Sequence, residues 1–259
     1  MTTQTEADLI ADVAFVPARV GVDDVSTARE LLLRDGAVIL TGSAVEPDGL
    51  VRAVAAVLGT RLRYLEEVRS RIAGSGGDLV VHTDGINVAV DIHGRLTHQR
   101  DHDVDFVAVL CETPAPVGGE SVIADGYRLV ERIRRHRPEL YQFMTTVDVD
   151  FTSGVSELGA YSLPLRACRM IEWSRGGRMV LRAYPWAVPL PMDARREEHQ
   201  RRLDEYAEVL AALFAVAPHD QLRTGEIQLF DSYRCPHGVR AHQGTRCTHV
   251  LSCKSAAAL

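Results

Sequence analysis

The sequence lacks the features that mark membrane and exported proteins. Its longest strongly apolar stretch, residues 206–217, contains Glu208 and is shorter than the roughly 18 residues of a membrane span. The first residues carry neither the basic start nor the apolar centre of a secretory signal. We therefore expect no membrane association and a cytoplasmic location.

Cysteine and lysine are also scarce. The five cysteines are an odd number in a chain expected to be cytoplasmic, which argues against a disulfide framework. Lys254 is the single lysine among 29 lysine and arginine residues, and the formal net charge is -6. Because the arginines are interspersed with acidic residues and the charge is negative, we expect no nucleic-acid partner.

What remains is an ordinary globular composition. The chain has 259 residues, of which 46% are hydrophobic and 25% charged, enough apolar material for a core. We find no internal repeat and no linker that would divide the chain. We predict one domain over residues 24–259, preceded by an arm over residues 1–23 whose weak periodicity indicates loose order.

The hydrophobic pattern changes along the chain from helical to extended. Helical periodicity covers residues 24–33, 47–58, 127–145 with a break at Pro138, and 195–216. Short strands are predicted over residues 37–40, 79–82, 106–111, 121–124, 147–151, 178–183, 227–230 and 249–253. Helices flanking many short strands favour a mainly β sandwich or barrel, not a parallel doubly wound sheet.

Two remote segments carry residues that suit a metal. The strand LVVH ends in His82, and Asp84 follows two positions later, so both side chains can lie on one face. His237 follows a predicted strand far along the chain and could supply a third ligand. Two histidines and one carboxylate form the facial triad of non-haem iron(II) oxygenases, which leaves coordination positions open.

An arginine beyond His237 could hold an acidic ligand. Arg246 lies on the approach to the last predicted strand, and a guanidinium can bind a carboxylate through two hydrogen bonds. Arg240 also lies beyond His237 and is the alternative anchor.

These motifs together resemble a known family. They are the runs His82-Thr83-Asp84-Gly85, Asp105 to Cys111, Gly118 to Gly126, and LFDSYRCPHG ending at Gly238. In this order they are similar to the taurine dioxygenase and clavaminate synthase-like family. The resemblance implies a double-stranded β-helix, or jelly-roll, core with flanking helices. It also implies iron(II), with 2-oxoglutarate and O2 as co-substrates.

The resemblance also assigns roles to residues. His82, Asp84 and His237 would be the catalytic metal ligands, whereas Arg246 and the Ser121 hydroxyl would hold 2-oxoglutarate. The implied reaction is hydroxylation of a small polar substrate, such as an amino acid or a specialised-metabolite intermediate, with release of succinate and CO2. Desaturation, epimerisation and cyclisation use the same triad. Asp84 disfavours halogenation, because halogenating relatives have a small residue at that position.

The segment 86–104 is longer and more polar than its counterpart in the family. It contains several potential ligands, namely His93, His98, Asp101, His102 and Asp103. Active-site loops often carry function, so this segment could be a lid over the substrate, although a solvated loop is the simpler interpretation. Trp173 and Trp186 are expected to be packing residues, with Arg182, Tyr184 or Trp186 as possible substrate contacts.

The sequence also allows other interpretations. A structural zinc site could use soft ligands near the C-terminus: Cys235, His237, His242, Cys247 and Cys253. The triad could also belong to a metal-dependent hydrolase, or the scaffold to a non-catalytic binding protein. The chain is expected to be a monomer or a homodimer.

Overall fold

A computed structural model of the protein describes residues 4–65, 67–84, 88–92, 95–99, 104–151, 167–174 and 176–255. Within these ranges, the side chains of residues 4–6, 61, 64, 88–92 and 95–99 are not described. The α-helices of the described residues are α1 (Gln4–Ile10), α2 (Val25–Asp35), α3 (Pro47–Leu58), α4 (Gly126–His136), α5 (Pro138–Thr146) and α6 (Arg196–Val216). None of the described helices has the length and apolar character needed to cross a membrane.

The strands are short and numerous. In chain order they are β1 (Ala14–Phe15), β2 (Arg19–Gly21), β3 (Ala37–Thr41), β4 (Leu62–Leu65), β5 (Arg69–Ala73), β6 (Leu79–His82), β7 (Val88–Ile92), β8 (Arg95–Gln99), β9 (Phe106–Thr113), β10 (Val117–Gly118), β11 (Ser121–Ala124), β12 (Val149–Asp150), β13 (Ala167–Cys168), β14 (Ile171–Trp173), β15 (Met179–Leu181), β16 (Val188–Pro189), β17 (Ile227–Asp231), β18 (His237–Val239), β19 (His242–Gln243) and β20 (Arg246–Ser255).

Two sheets form the centre of the molecule. The major sheet has the order β2-β3-β17-β9-β20-β4, with β5 also paired to β20. The minor sheet has the order β1-β11-β18-β6. Side chains from the major sheet, including Phe230 and Val250, pack with Ile123 and Phe15 of the minor sheet in one apolar cluster. The two sheets therefore face each other across a shared interior.

Helices cover the outer faces of both sheets. On the major sheet, Ala108 and Leu110 of β9 pack with Leu50 and Val54 of α3. On the minor sheet, Val122 packs among the buried side chains of α1, α4, α5 and α6. Because side chains alternate along a strand, β9 contributes Val107 and Val109 to the interior and Ala108 and Leu110 to the helical layer. Complete burial of each such aliphatic side chain stabilises the fold by about 1.5–3 kcal/mol.

Local signals account for several element boundaries. Helix α2 begins after Asp24, whose side chain accepts a hydrogen bond from the Thr27 backbone N–H, and ends at Gly36 with φ of 84°. Glycine adopts this left-handed conformation without a steric penalty. Helix α3 and strands β6 and β11 have the predicted boundaries, and the helical region of 127–145 divides at Pro138 as predicted.

The N-terminal segment differs from the loosely attached arm expected over residues 1–23. Leu9, Ile10 and Val13 are buried in the core beneath the helical layer of the minor sheet. Strand β1 pairs with β11, and β2 pairs in parallel with β3. The described part of this segment is packed because α1 presents apolar side chains to the core. The assignment of the whole chain to one domain remains a prediction.

Candidate metal centre and cavity

His82 and Asp84 lie at the end of β6. A 2.9 Å hydrogen bond joins His82 Nδ1 to the carbonyl oxygen of Val80. The Nδ1 proton is donated to that oxygen, so Nε2 keeps a free lone pair. Next in the chain, the Thr83 backbone N–H donates a 2.7 Å hydrogen bond to the carbonyl of Ala183. These contacts fix the point at which the chain leaves the sheet and presents Asp84.

His237 reaches the same place from the neighbouring strand. Strand β18 pairs antiparallel with β6, and His237 lies opposite His82 in the register. Their ring centroids are 4.7 Å apart, and His237 Nε2 lies 3.6 Å from Asp84 Oδ2. One potential ligand atom from each of the three residues lies within 4.8 Å of the other two. The structure thus brings together three residues that are remote in sequence.

The surroundings favour a neutral imidazole at His237. Burial lowers the pKa of His237 to about 4, against the opposing effect of the Asp84 carboxylate, and His82 lowers it further. A neutral imidazole has the lone pair that a metal requires. Asp84 and His237 are too far apart for a hydrogen bond, so their donor atoms do not satisfy each other. Two imidazole nitrogens and a carboxylate oxygen fit iron(II) in composition.

The three residues are among those that line a cavity of about 280 Å³ between the two sheets. The cavity is lined by Arg71, Ala73, Gly77, Leu79, His82, Asp84, Val107, Val109, His237, Val239, His242, Arg246, Thr248 and Val250. Burial lowers the pKa of Arg246, and the nearby positive charge of Arg71 also lowers it. Arginine remains charged at any working pH, so the cavity holds two guanidinium groups.

The structure places Arg240 elsewhere. Its Nη2 donates a 2.6 Å hydrogen bond to the carbonyl oxygen of Phe214 near the end of α6. The guanidinium carbon also lies 4.2 Å from the centroid of the Phe214 ring. Arg240 therefore caps a helix and does not line the cavity, whereas Arg246 does.

Ser121 is not among the residues that line the cavity. Its backbone exchanges hydrogen bonds with Asp220, and it lies opposite Val239 in the sheet. The preceding turn is fixed by its own packing, because Gly118 has φ of 72° and a Cβ there would lie 2.1 Å from the Ala241 oxygen. A contact between Ser121 and 2-oxoglutarate therefore stays a prediction.

The residues expected to pack in the core or to contact substrate lie in different environments. Trp186 is 42% exposed, and its ring centroid lies 6.1 Å from that of His82, so it borders the metal-ligand candidates rather than filling the core. Trp173 is 53% exposed. Arg182 is buried and pairs with Glu172 at 2.7 Å. Tyr184 is buried and packs edge-on against Trp186.

The five-residue zinc alternative does not form one site. Cys235 is buried in the cluster between the sheets, whereas Cys253 is buried on the helical side of the major sheet. His237 and His242 line the cavity. Cys247 instead lies beside Glu112 and His249. These residues are divided between the two faces of the major sheet: Cys247 and Cys253 lie an even number of positions apart on β20 and face the helical side, whereas the other three lie on the cavity side.

The proposed lid is only partly described. Strands β7 and β8 form an antiparallel hairpin in which Val90 lies opposite Thr97. His93 and Asp101, His102 and Asp103 fall outside the described residues, as does the His98 side chain. The lid function of residues 86–104 remains a prediction.

Arg71 and Thr248 are cavity residues that sequence reasoning missed. They lie opposite each other on β5 and β20. Strand β5 was not predicted because all five of its residues are exposed, so the strand lacks an apolar repeat. Thr248 could have been found from its i, i+2 spacing with Arg246, which places both side chains on one face of a strand.

Comparison with solved structures identifies the fold. An asparagine oxygenase in complex with Fe(II), 2S,3S-3-hydroxyasparagine and succinate is 18% identical and superposes with a TM-score of 0.61, covering 91% of this chain and 79% of that chain. A taurine dioxygenase from Burkholderia xenovorans is 13% identical with a TM-score of 0.63, covering 94% and 89%, respectively. These similarities confirm the predicted double-stranded β-helix core with flanking helices.

Sequence comparison identifies the family. Gamma-butyrobetaine dioxygenase of Homo sapiens is 24% identical over 231 residues, or 85% of this chain. The chain spans only 57% of the length of that relative. Residues 9–254 match the family described as taurine catabolism dioxygenase TauD, TfdA. Since the match covers nearly the whole sequence, the chain belongs to the TauD/TfdA family.

Proposed function

We propose that this protein is an iron(II)- and 2-oxoglutarate-dependent dioxygenase that hydroxylates a small polar substrate. The main observation behind the proposal is the convergence of His82, Asp84 and His237 in the wall of a cavity that Arg246 also lines. Membership of the TauD/TfdA family supports the same activity.

His82, Asp84 and His237 would hold iron(II). The Val80 carbonyl fixes the orientation of His82, and burial keeps His237 neutral, so both imidazoles are prepared to act as ligands. Bound iron(II) would supply oxygen activation coupled to conversion of 2-oxoglutarate into succinate and CO2. The protein would orient both organic molecules and limit the access of water.

Arg246 would bind the distal carboxylate of 2-oxoglutarate. Its guanidinium lines the cavity, and the charged groups that act on it among the described residues, Cys111 and Arg71, include no carboxylate. A partly buried cation without an acidic partner is unfavourable, so an anionic ligand would stabilise this arrangement. Arg240 is a weaker candidate because it is already bonded to the end of α6.

Arg71 gives a reason to expect an acidic group on the primary substrate. Asp84 would neutralise one of the two charges of iron(II), and Arg246 and Arg71 add two further positive charges. The two carboxylates of 2-oxoglutarate would leave one positive charge in excess, which a carboxylate on the substrate would balance. Acidic intermediates of specialised metabolism and amino acids with an acidic side chain carry a net negative charge and satisfy this requirement, whereas other amino acids bring their carboxylate together with an ammonium group.

Asp84 also bears on the reaction outcome. A carboxylate at this position would occupy the ligand site that halogenating enzymes leave for a halide, which favours hydroxylation. Desaturation, epimerisation and cyclisation would use the same residues and would be distinguished by the product.

The proposal is tested by turnover. Purified protein supplied with iron(II), ascorbate and 2-oxoglutarate should form succinate and consume O2, even in slow turnover without the primary substrate. His82→Ala should form none, whereas His136→Ala, at the end of α4, should behave as the wild type. Hydrolytic activity without O2 would favour the metal-dependent hydrolase. Tight ligand binding with no turnover of any kind would favour the binding protein.

A further inference from the structure

A second group of potential metal ligands lies on the other face of the major sheet. Along β20, Arg246 and Thr248 face the cavity, so Cys247 and His249 face the helical side. Glu112 of β9 lies on this face as well, because its carboxylate contacts both His249 and Cys247. The sheet therefore separates this group from the cavity.

The donor atoms of the group converge closely. Glu112 Oε2 lies 2.8 Å from His249 Nε2 and 3.0 Å from Cys247 Sγ. One potential ligand atom from each residue lies within 4.8 Å of the other two. The register of β20 against β9 shifts between Cys247 and Thr248, and such a bulge redirects the side chain beside it. Three residues from two adjacent strands thus meet at one point.

The surroundings of His249 resemble those of a metal ligand. Its Nδ1 lies 2.9 Å from Ser70 Oγ on β5, so the outer ring nitrogen is engaged and Nε2 faces the group. An outer hydrogen bond of this kind orients most metal-bound histidines. The His249 side chain is 9% exposed and that of Glu112 is 42% exposed. The His249 ring is therefore held in place, and an ion can reach the group from solvent at Glu112.

We propose that Glu112, Cys247 and His249 form a zinc site distinct from the iron site. A thiolate, an imidazole and a carboxylate are all usual zinc ligands, and a water molecule would complete a tetrahedral set. The soft thiolate distinguishes this group from the nitrogen and oxygen donors of the cavity. Zinc would displace the Cys247 thiol proton to solvent and would bind His249 as the Nδ1–H tautomer, which donates to Ser70. The site would join β9 to β20, and Ser70 of β5 would hold the His249 ring by a hydrogen bond.

Zinc binding is measured in a background that removes the two histidine ligands of the cavity. The double variant His82→Ala/His237→Ala is stripped with a chelator and dialysed against zinc, and bound metal is counted by mass spectrometry. We expect one zinc per chain. Adding Cys247→Ser should weaken binding by at least about tenfold, and Ser70→Ala should weaken it by about 10- to 100-fold, the range for outer hydrogen-bond partners. Adding His136→Ala, the matched histidine control, should change nothing.

Cobalt(II) provides a second measurement. In the double variant it should give a near-ultraviolet thiolate charge-transfer band that disappears with Cys247→Ser. If Cys247→Ser fails to fold, Glu112→Gln at the exposed ligand should weaken the binding that produces this band. Absence of zinc and of the band in the double variant would overturn the site, as would a band that survives Cys247→Ser. Either result leaves the iron-dependent turnover of the wild-type chain as a separate question.

Discussion

The two groups of metal-ligand candidates differ in how their donor atoms are satisfied. In the cavity, Asp84 and His237 stand 3.6 Å apart, and His82 is held from outside the group by Val80. Behind the major sheet, Glu112 is hydrogen-bonded to both Cys247 and His249. The cavity group is open to a ligand, whereas the outer group is already satisfied without one.

This difference has an energetic consequence. An ion at the outer group must replace two hydrogen bonds, each with a net value of about 1 kcal/mol, before it gains its own bonds. An ion in the cavity group replaces no such bond between Asp84 and His237. We therefore expect the cavity group to bind the catalytic metal without loss of an internal hydrogen bond. The outer group should be stable both with and without a bound metal.

The largest expected effect is on succinate formation, which should depend on the cavity group and not on the outer group. His82→Ala, Asp84→Ala and His237→Ala should each reduce succinate formation more than about 100-fold, beyond the range found for outer hydrogen-bond partners. His249→Ala should retain most of the activity, because His249 lies behind the sheet. Succinate and O2 are measured together for all four variants. Equal losses of succinate formation in His82→Ala and His249→Ala would contradict the assignment of different roles to the two groups.

The second effect concerns the two arginines beyond His237. Removing a buried hydrogen bond to a charged group costs about 1.5–3 kcal/mol, so Arg246→Ala should raise the KM for 2-oxoglutarate by about 10- to 150-fold. Arg240→Ala should leave that KM within about twofold, since its guanidinium contacts Phe214. KM is measured from the initial rate of succinate formation. The opposite pattern would transfer the anchoring role to Arg240.

A smaller effect is expected at Arg71, which is solvent-exposed on β5. Arg71→Gln should reduce the stimulation of succinate formation by acidic small molecules about two- to fivefold, as expected for a solvent-screened ion pair. The KM for 2-oxoglutarate should change little. Amino acids are compared with their amides as stimulants, and selectivity for the acids that survives Arg71→Gln would remove Arg71 from substrate binding.

The smallest effect is on stability. Zinc at ten times its Kd should stabilise the His82→Ala/His237→Ala protein by about 1.4 kcal/mol, which raises Tm by about 3–6 °C for a chain of this size. Cys247→Ser in that background should remove the increase. A thermal melt with and without zinc measures both, and an unchanged Tm in the background variant would count against the outer site.

Much of the fold could be predicted because several segments carry strong local signals. Helix α3 has an apolar repeat between Pro47 and Gly59, and α2 lies between a capping aspartate and a left-handed glycine. Strand β18, in contrast, has only three residues and follows Pro236. Its existence depends on pairing with β6 and β11, which a local pattern does not reveal.

The candidate site also depends on strand pairing that a local sequence pattern does not reveal. The spacing of His82 and Asp84 predicts a shared face from the sequence alone, but the contribution of His237 depends on the pairing of β18 with β6. The predicted last strand began at residue 249, whereas β20 begins at Arg246. Cys247 was therefore not placed on a strand face, and its proximity to Glu112 depends on the register with β9.

The most direct test of the account is the anaerobic addition of 2-oxoglutarate to the iron(II)-loaded wild-type protein. We predict a visible charge-transfer band that saturates at one 2-oxoglutarate per iron, is absent in His82→Ala, and requires more 2-oxoglutarate in Arg246→Ala. Absence of the band in the wild type, together with no succinate after admission of O2, would contradict the proposed dioxygenase.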